Sequence, residues 1–187
     1  MEWGTWRPDA QGSRSDIEGL VAGIESGETH KALAKRFPAM YLRYSKGIDR
    51  LKLMHTQPRR SAVKGFVYCG PPGTGKSFKA WGLYPDAYPW DGTKWWDNYD
   101  GQQTVIADDP DFSNIPLTYL LRLVDPYPTQ IQVKGGYTVP AFKRLIITTN
   151  EPIENWYPLR NPAHLQALRR RFIVEEFSLA NVTWEAA

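Results

Sequence analysis

Residues 65–81 read GFVYCGPPGTGKSFKAW, and the fold turns on how that stretch is read. Its centre, Gly70-Pro71-Pro72-Gly73-Thr74-Gly75-Lys76-Ser77, fits the phosphate-gripping pattern G-x-x-x-x-G-K-[ST]. Glycines let the backbone turn tightly and aim its N–H groups at phosphate oxygens. The N-terminus of a following helix adds positive potential. The apolar run GFVYC supplies a strand before the loop, and SFKAWGLY supplies a helix after it. Lys76 is expected to reach the β- and γ-phosphates, and the Ser77 hydroxyl to ligate Mg²⁺. Kinases, GTPases, transporters and motors all use such a loop, so the kind of nucleotide machine has to be read from the remaining residues.

Outward from the loop, strands and helices alternate from Lys64 onward. TVIADD is a second apolar run that ends in acids, and TYLLRLVD reads as a helix. TQIQVKGGYTVPAFKRLIITTN reads as a hairpin entering a third strand, and RRFIVEEF holds the last strand. This alternation predicts an α/β fold with a largely parallel sheet over residues 58–187. Upstream, residues 1–13 read as an irregular arm. Ser15-Asp16-Ile17-Glu18 fits a capping box, and Ile17, Leu20, Val21 and Ile24 recur at helical spacing. Gly27 breaks that helix, Thr29 caps a second, HKALAKRF, and Pro38 stops it. A third pattern, MYLRYSKGIDRLKLM, carries Tyr41, Leu42, Ile48 and Leu51. Residues 1–57 are therefore expected to form a small all-helical module, joined to the α/β region by the polar stretch HTQPRRSAVK.

Composition narrows the setting. A chain of 187 residues with 42% hydrophobic and 23% charged residues is an ordinary globular one, long enough for one domain plus a helical appendage. No run of 18 apolar residues occurs, so no membrane span is predicted, and the N-terminus lacks a signal core. The single cysteine, Cys69, excludes an internal disulfide framework and any CxxC metal site, which fits a reducing intracellular compartment. A net charge of +3 permits nucleic-acid binding without requiring it.

Several polar residues sit where chemistry needs them. Asp108 and Asp109 end an apolar strand, the position for a metal's outer ligand and for a base acting on water; Asp and Pro also favour plain turns. Asn150 ends LIITTN, where an amide can position an attacking water, or simply begin a turn. Arg169, Arg170 and Arg171 precede the last strand, either as a solvated face or, in a ring, as the source of a finger to a neighbour's γ-phosphate. Lys134-Gly135-Gly136 forms a hairpin tip suited to a nucleic-acid phosphate, with Tyr137 available for stacking; a plain surface hairpin reads equally well. Trp95, Trp96 and Tyr99 are read as packing residues rather than base platforms. His30, His55 and His164 are scattered, with no metal-ligand spacing.

Taken in order, GPPGTGKS, KWWDNYDGQ, TVIADDPDF, LLRLVDPYP, QVKGGYTVP, ITTNEP and ALRRRF resemble the superfamily 3 helicase domain, a compact AAA+ variant. More narrowly, the chain resembles the C-terminal part of replication initiator (Rep) proteins of circular single-stranded DNA viruses, the circovirus-like group. The helical segment resembles the part that drives oligomerisation in these proteins. The resemblance implies an AAA+-type P-loop NTPase core over residues 58–187, a helical oligomerisation module over residues 1–57, and ATP with Mg²⁺. It also implies a hexameric ring with single-stranded DNA in its channel, 3′-to-5′ travel, and rolling-circle replication in the host nucleus. Carried over by position, Lys76 and Ser77 match the Walker A lysine and hydroxyl within Gly70–Ser77. Asp108 matches the acid that coordinates Mg²⁺ through water, Asp109 the base, and Asn150 the first sensor. Lys134, with Gly135 and Tyr137, matches the DNA-binding hairpin. Arg171 matches the arginine finger, with Arg170 as runner-up. The chain departs from the pattern at Pro110, where relatives carry an aromatic or aliphatic residue. It also lacks the His-hydrophobe-His element and catalytic Tyr of the nickase half, so a truncated chain is expected. Two rivals remain from the residues: a non-motor AAA+ scaffold that organises partners on DNA, and a helix-turn-helix reader made by the N-terminal helices, whose basic residues are dispersed.

Overall fold

The computed structural model describes residues 15–158 and 161–179, so the arm expected over residues 1–13 lies outside them. The chain divides into two compact units, Met1–Gln57 and Pro58–Ala187, each with a core of its own.

The first unit holds helices α1 (Ser15–Glu25), α2 (His30–Arg36) and α3 (Pro38–His55). Gly27, at φ +81°, turns the chain out of α1. Thr29 Oγ1 accepts a hydrogen bond from the Ala32 N–H at 3.2 Å and so caps α2. Pro38 does more than stop α2: it opens α3, where its missing N–H is no loss. Leu20, Ile24, Leu33, Met40 and Ile48 form a small buried cluster. Two residues of the expected stripe fall outside it, since Leu42 is 84% and Leu51 37% exposed. Met40 and Tyr41 lie eight and seven residues before Ile48 and share its face, whereas Leu42 is turned off that face. A bend at Tyr44 (φ −121°, ψ 23°) interrupts the helix between them.

The second unit runs β1 (Lys64–Cys69), α4 (Lys76–Leu83), β2 (Tyr88–Pro89), β3 (Thr104–Asp108), α5 (Leu117–Val124), β4 (Ile131–Val133), β5 (Gly136–Thr138), β6 (Arg144–Thr149), α6 (Pro162–Arg171) and β7 (Phe172–Glu176). Five strands form a parallel sheet in the order β2-β3-β6-β1-β7, and β4 with β5 forms a separate antiparallel hairpin. Strands buried on both faces read as continuous apolar runs, as in β3 and β6. Their alternation divides the core. Tyr68, Ile106 and Ile146 pack with Ala80 of α4 on one face. Val67, Val105, Ala107, Leu145 and Ile147 pack with Leu120 and Leu123 of α5 and Leu168 of α6 on the other. An aromatic layer extends this second cluster, with Trp96 stacked between Trp90 (5.0 Å) and Phe142 (5.6 Å).

The two-residue β2 and the helix α6 go beyond the sequence reading. α6 opens on Asn161, whose Oδ1 accepts from the Ala163 N–H at 2.9 Å, with Pro162 as its first residue. Only Leu165 and Leu168 supply an apolar stripe there, too few for a periodic signal.

Candidate functional site

In a parallel sheet all strands end on the same side, so β1, β3 and β6 deliver their last residues to one edge. β6 lies between β1 and β3, and Asn150 therefore arrives between the phosphate loop and the acids. Register pairs Cys69 with Thr149 and Asp108 with Thr148.

The loop leaves β1 with the Gly70 N–H donating to Thr149 O at 3.1 Å. A Cβ at Gly70 would sit 2.2 Å from Phe177 O, so the chain passes there only without a side chain. Gly75 adopts φ +85° immediately before α4, which glycine takes without strain. Thr74 Oγ1 donates back to Pro71 O at 2.8 Å and closes the turn.

Lys76, the first residue of α4, is only 8% exposed. Its Nζ donates to Gly70 O (2.7 Å), Pro71 O (2.8 Å) and Asn150 Oδ1 (3.1 Å). Next to it, Ser77 Oγ donates to Asp108 Oδ1 at 2.6 Å. Thr148 Oγ1 also donates to Asp108 Oδ1. The same hydroxyl accepts the Asp109 N–H at 3.0 Å, and that N–H also reaches Thr148 O at 3.1 Å. These bonds hold Asp109 at φ +48°, a conformation non-glycine residues seldom take. Asn150 Nδ2 donates to Asp109 Oδ2 at 3.2 Å. Lys76, Asn150, Asp109, Thr148, Asp108 and Ser77 are thus joined in one hydrogen-bonded circuit. Thr148, 1% exposed, is the member the sequence reading missed.

Two clefts flank the circuit and share Asn150. One, of about 620 Å³, lies beside Gly70–Pro72, with Phe172 and Val174 on its wall. The other, of about 460 Å³, lies beside Asp109 with Trp156 on its wall. Burial pushes the Cys69 thiol up, away from thiolate chemistry. Among the described residues no group of three or more His, Cys, Asp or Glu side chains could hold a metal alone. Magnesium instead takes one or two protein oxygens together with substrate phosphates and water, and Ser77 Oγ and Asp108 Oδ1 are hard donors of that kind.

The three arginines at the end of α6 have separate environments. Arg169 donates from Nε (3.1 Å) and NH2 (2.5 Å) to Glu154 Oε1, which holds the Glu154 carboxyl below its usual range. Arg171 donates from Nε to Asp125 Oδ1 at 2.7 Å and from NH1 to Ala167 O at 3.0 Å, with its side chain 18% exposed. Arg170 is exposed.

At the hairpin, Val133 pairs with Gly136, which leaves Lys134 and Gly135 as the turn, with Gly135 at φ +91°. The Lys134 side chain is 79% exposed. Trp95 pairs with Gln132 in a parallel bridge and Gln132 with Tyr137 across the hairpin, so these three stand side by side over three chain segments. Trp96 and Tyr99 are buried packing residues, whereas Trp95 remains 39% exposed.

The strand order, the phosphate loop after β1, the acids after β3 and the asparagine between them define an AAA+-type P-loop fold. A family model described as RNA helicase matches residues 66–151. The replication-associated protein of pigeon circovirus is 38% identical over 166 residues, 87% of this chain and 51% of that protein. That of beak and feather disease virus is 37% identical, over 83% of this chain and 53% of its own length. That of porcine circovirus 1 is 34% identical, over 91% and 56%. The chain belongs to the family of circovirus-type replication-associated proteins, and residues 66–151 are its helicase-type domain. It spans about half the length of these relatives. Among the described residues, no helix is long and apolar enough to cross a membrane.

Proposed function

We propose that this chain is the ATP-dependent helicase part of a viral replication initiator, a hexameric ring that moves 3′-to-5′ on single-stranded DNA during rolling-circle replication in the host nucleus. The observation that carries the reading is the unbroken circuit from Lys76 through Asn150, Asp109, Thr148 and Asp108 to Ser77. It gathers at one sheet edge a cation for phosphate, two carboxylates and an amide, the groups that phosphoryl transfer to water requires.

In this reading the backbone from Gly70 to Gly75 wraps the triphosphate and Lys76 pairs with its β- and γ-oxygens. Ser77 and Asp108 would hold Mg²⁺, which would supply neutralisation of phosphate charge. Asp109 accepts the proton of the attacking water, and Asn150 orients that water. Arg170 of a neighbouring copy serves as the finger, because Arg171 already bonds to Asp125 of its own chain. Exposed apolar side chains on α3, Leu42 (84%) and Met54 (67%), favour self-association through the helical unit. β6, which delivers Asn150, begins shortly after the β4–β5 hairpin. A change in what Asn150 bonds is thereby coupled to the position of Lys134, Gly135 and Tyr137 on the strand.

The test joins mass measurement, with and without ATP and single-stranded DNA, to a strand-displacement assay. The expected result is an assembly that unwinds and that Lys76→Ala stops. Assembly with ATP turnover but no unwinding makes the chain a non-motor scaffold instead. A monomer that never unwinds overturns the reading.

A further inference from the structure

We infer that Asp97 governs the hairpin's grip on the phosphodiester backbone of a single strand: one carboxylate oxygen fixes the tip, and the other competes with the strand's phosphates for the Lys134 ammonium. The inference rests on the hairpin reading given above.

Asp97 lies in the loop between β2 and β3, 37 residues before Lys134. Its place is set by the core. The side chain of Trp96 is fully buried, stacked between Trp90 and Phe142, and its indole donates to Tyr119 Oη at 2.8 Å. The Trp96 N–H donates to Gln132 O at 2.8 Å, and Tyr88 Oη donates to Asp97 O at 2.9 Å. With the single Trp95–Gln132 bridge, residues 95 and 96 lie against β4. These bonds and rings fix the loop's position, and the Asp97 side chain emerges from it at the hairpin turn.

The two oxygens do different work. Oδ1 accepts the Lys134 backbone N–H at 2.7 Å, a charge-assisted bond that holds the turn. Oδ2 stands 3.5 Å from Lys134 Nζ, with the two side chains 32% and 79% exposed. A pair that long and that wet is worth little, and a phosphate can displace it. The same carboxylate then faces the incoming phosphate as a like charge. Asp97 thus shapes the tip and weakens its hold, which suits a grip that must release.

Substitution separates the two roles. Asp97→Asn keeps an oxygen for the Lys134 N–H and removes the charge, whereas Asp97→Ala removes both. Both leave the Tyr88 and Trp96 bonds intact, since those are to backbone oxygens or the indole. Binding of a labelled oligothymidylate by the full chain is followed by fluorescence anisotropy at about 50 and about 200 mM salt. Asp97→Asn is expected to tighten binding by about two- to five-fold at the lower salt, with less gain at the higher. Asp97→Ala should bind about three-fold or more weaker than Asp97→Asn. In the Lys134→Ala background, Asp97→Asn should tighten binding less than it does in the parent chain, since only the like charge is then removed. Unchanged or weaker binding by Asp97→Asn overturns the competition, as does equal tightening without Lys134. Equal affinities for the Asn and Ala variants overturn the clasp on the turn. If Lys134→Ala alone binds as tightly as the parent chain, the hairpin reading itself falls.

Discussion

The two ends of β6 serve the molecule in opposite ways. At its carboxyl end Asn150 closes a circuit in which Lys76 is 8% and Thr148 1% exposed, and each polar group has a partner within its own domain. Before its amino end stands the hairpin, whose Lys134 side chain is 79% exposed and whose turn is held through the Lys134 N–H by one carboxylate. A site that must stabilise one transition state gains from groups fixed in advance, because no reorganisation is then needed at the moment of reaction. A site that meets a long, sequence-variable polymer gains from exposure and weak, replaceable bonds. One strand joins the two.

After Lys76→Ala, the largest effect should come from outside the circuit. Arg170→Ala is expected to lower kcat for ATP by about 10³-fold or more, with ATP affinity little changed, because a finger acts on the transition state. Arg171→Ala should instead cost about 1–3 kcal/mol of stability through the loss of its bonds to Asp125 and Ala167. Steady-state ATPase rates beside denaturant melts check both. The reverse pattern, a stable but inactive Arg171→Ala, moves the finger to Arg171.

Within the circuit, Thr148→Val tests whether prior fixation matters. It removes the hydroxyl that touches both Asp108 and the Asp109 N–H while keeping the strand's shape. A drop of about 10²-fold in kcat is expected, with a higher Mg²⁺ requirement, and Thr148→Ser should restore most of it. If valine lowers stability while the Mg²⁺ dependence stays unchanged, the hydroxyl is structural only.

At the hairpin the changes should be gentler. Lys134→Ala and Tyr137→Ala are each expected to weaken single-strand binding by about ten-fold. Only Lys134→Ala should reduce the salt dependence, since in the proposed role it is Lys134 that meets a phosphate. Titrations at two salt concentrations read this directly. An unchanged salt slope would move the phosphate contact elsewhere.

How much of this was legible beforehand follows from the range of each interaction. The phosphate loop is local: eight consecutive residues specify both its turns and its chemistry, and they read correctly as strand, loop and helix. Asp108, Asp109 and Asn150 stood out because polar side chains ended apolar runs. Thr148 did not, because threonine is an ordinary strand former and its partners come from β3. Asp97 was equally silent, since its contact spans 37 residues and depends on a tryptophan layer that only the folded chain assembles. The resemblance ranked Arg171 before Arg170 as the finger, but the residues alone did not show that Arg171 is held within its own chain: neighbours on a helix point about 100° apart, and which one meets Asp125 is decided by the docking of α6 near α5. Leu42 likewise fell outside the expected stripe because, six residues before Ile48, it points off that residue's helix face.

The smallest effect at neutral pH concerns the support beneath the hairpin. Tyr99 Oη donates to Gln102 O at 3.0 Å and accepts the Ala141 N–H at 3.0 Å, which ties the chain leaving β5 to the loop before β3. Tyr99→Phe loses both bonds and should cost about 1–2 kcal/mol while leaving ATP turnover in place. Burial lifts the Tyr99 phenol to about 12, and likewise that of Tyr88, whose hydroxyl bonds Asp97 O. A folded pKa above the unfolded value of about 10 means that the native state holds the proton more firmly. This contribution is therefore fully present below pH about 10 and is lost as pH rises through about 12. Denaturant melts at pH about 8 and about 11 should show the parent chain losing more stability over that interval than Tyr99→Phe. Equal losses would mean that the phenol is not what fastens the hairpin, and that the aromatic stack alone carries it.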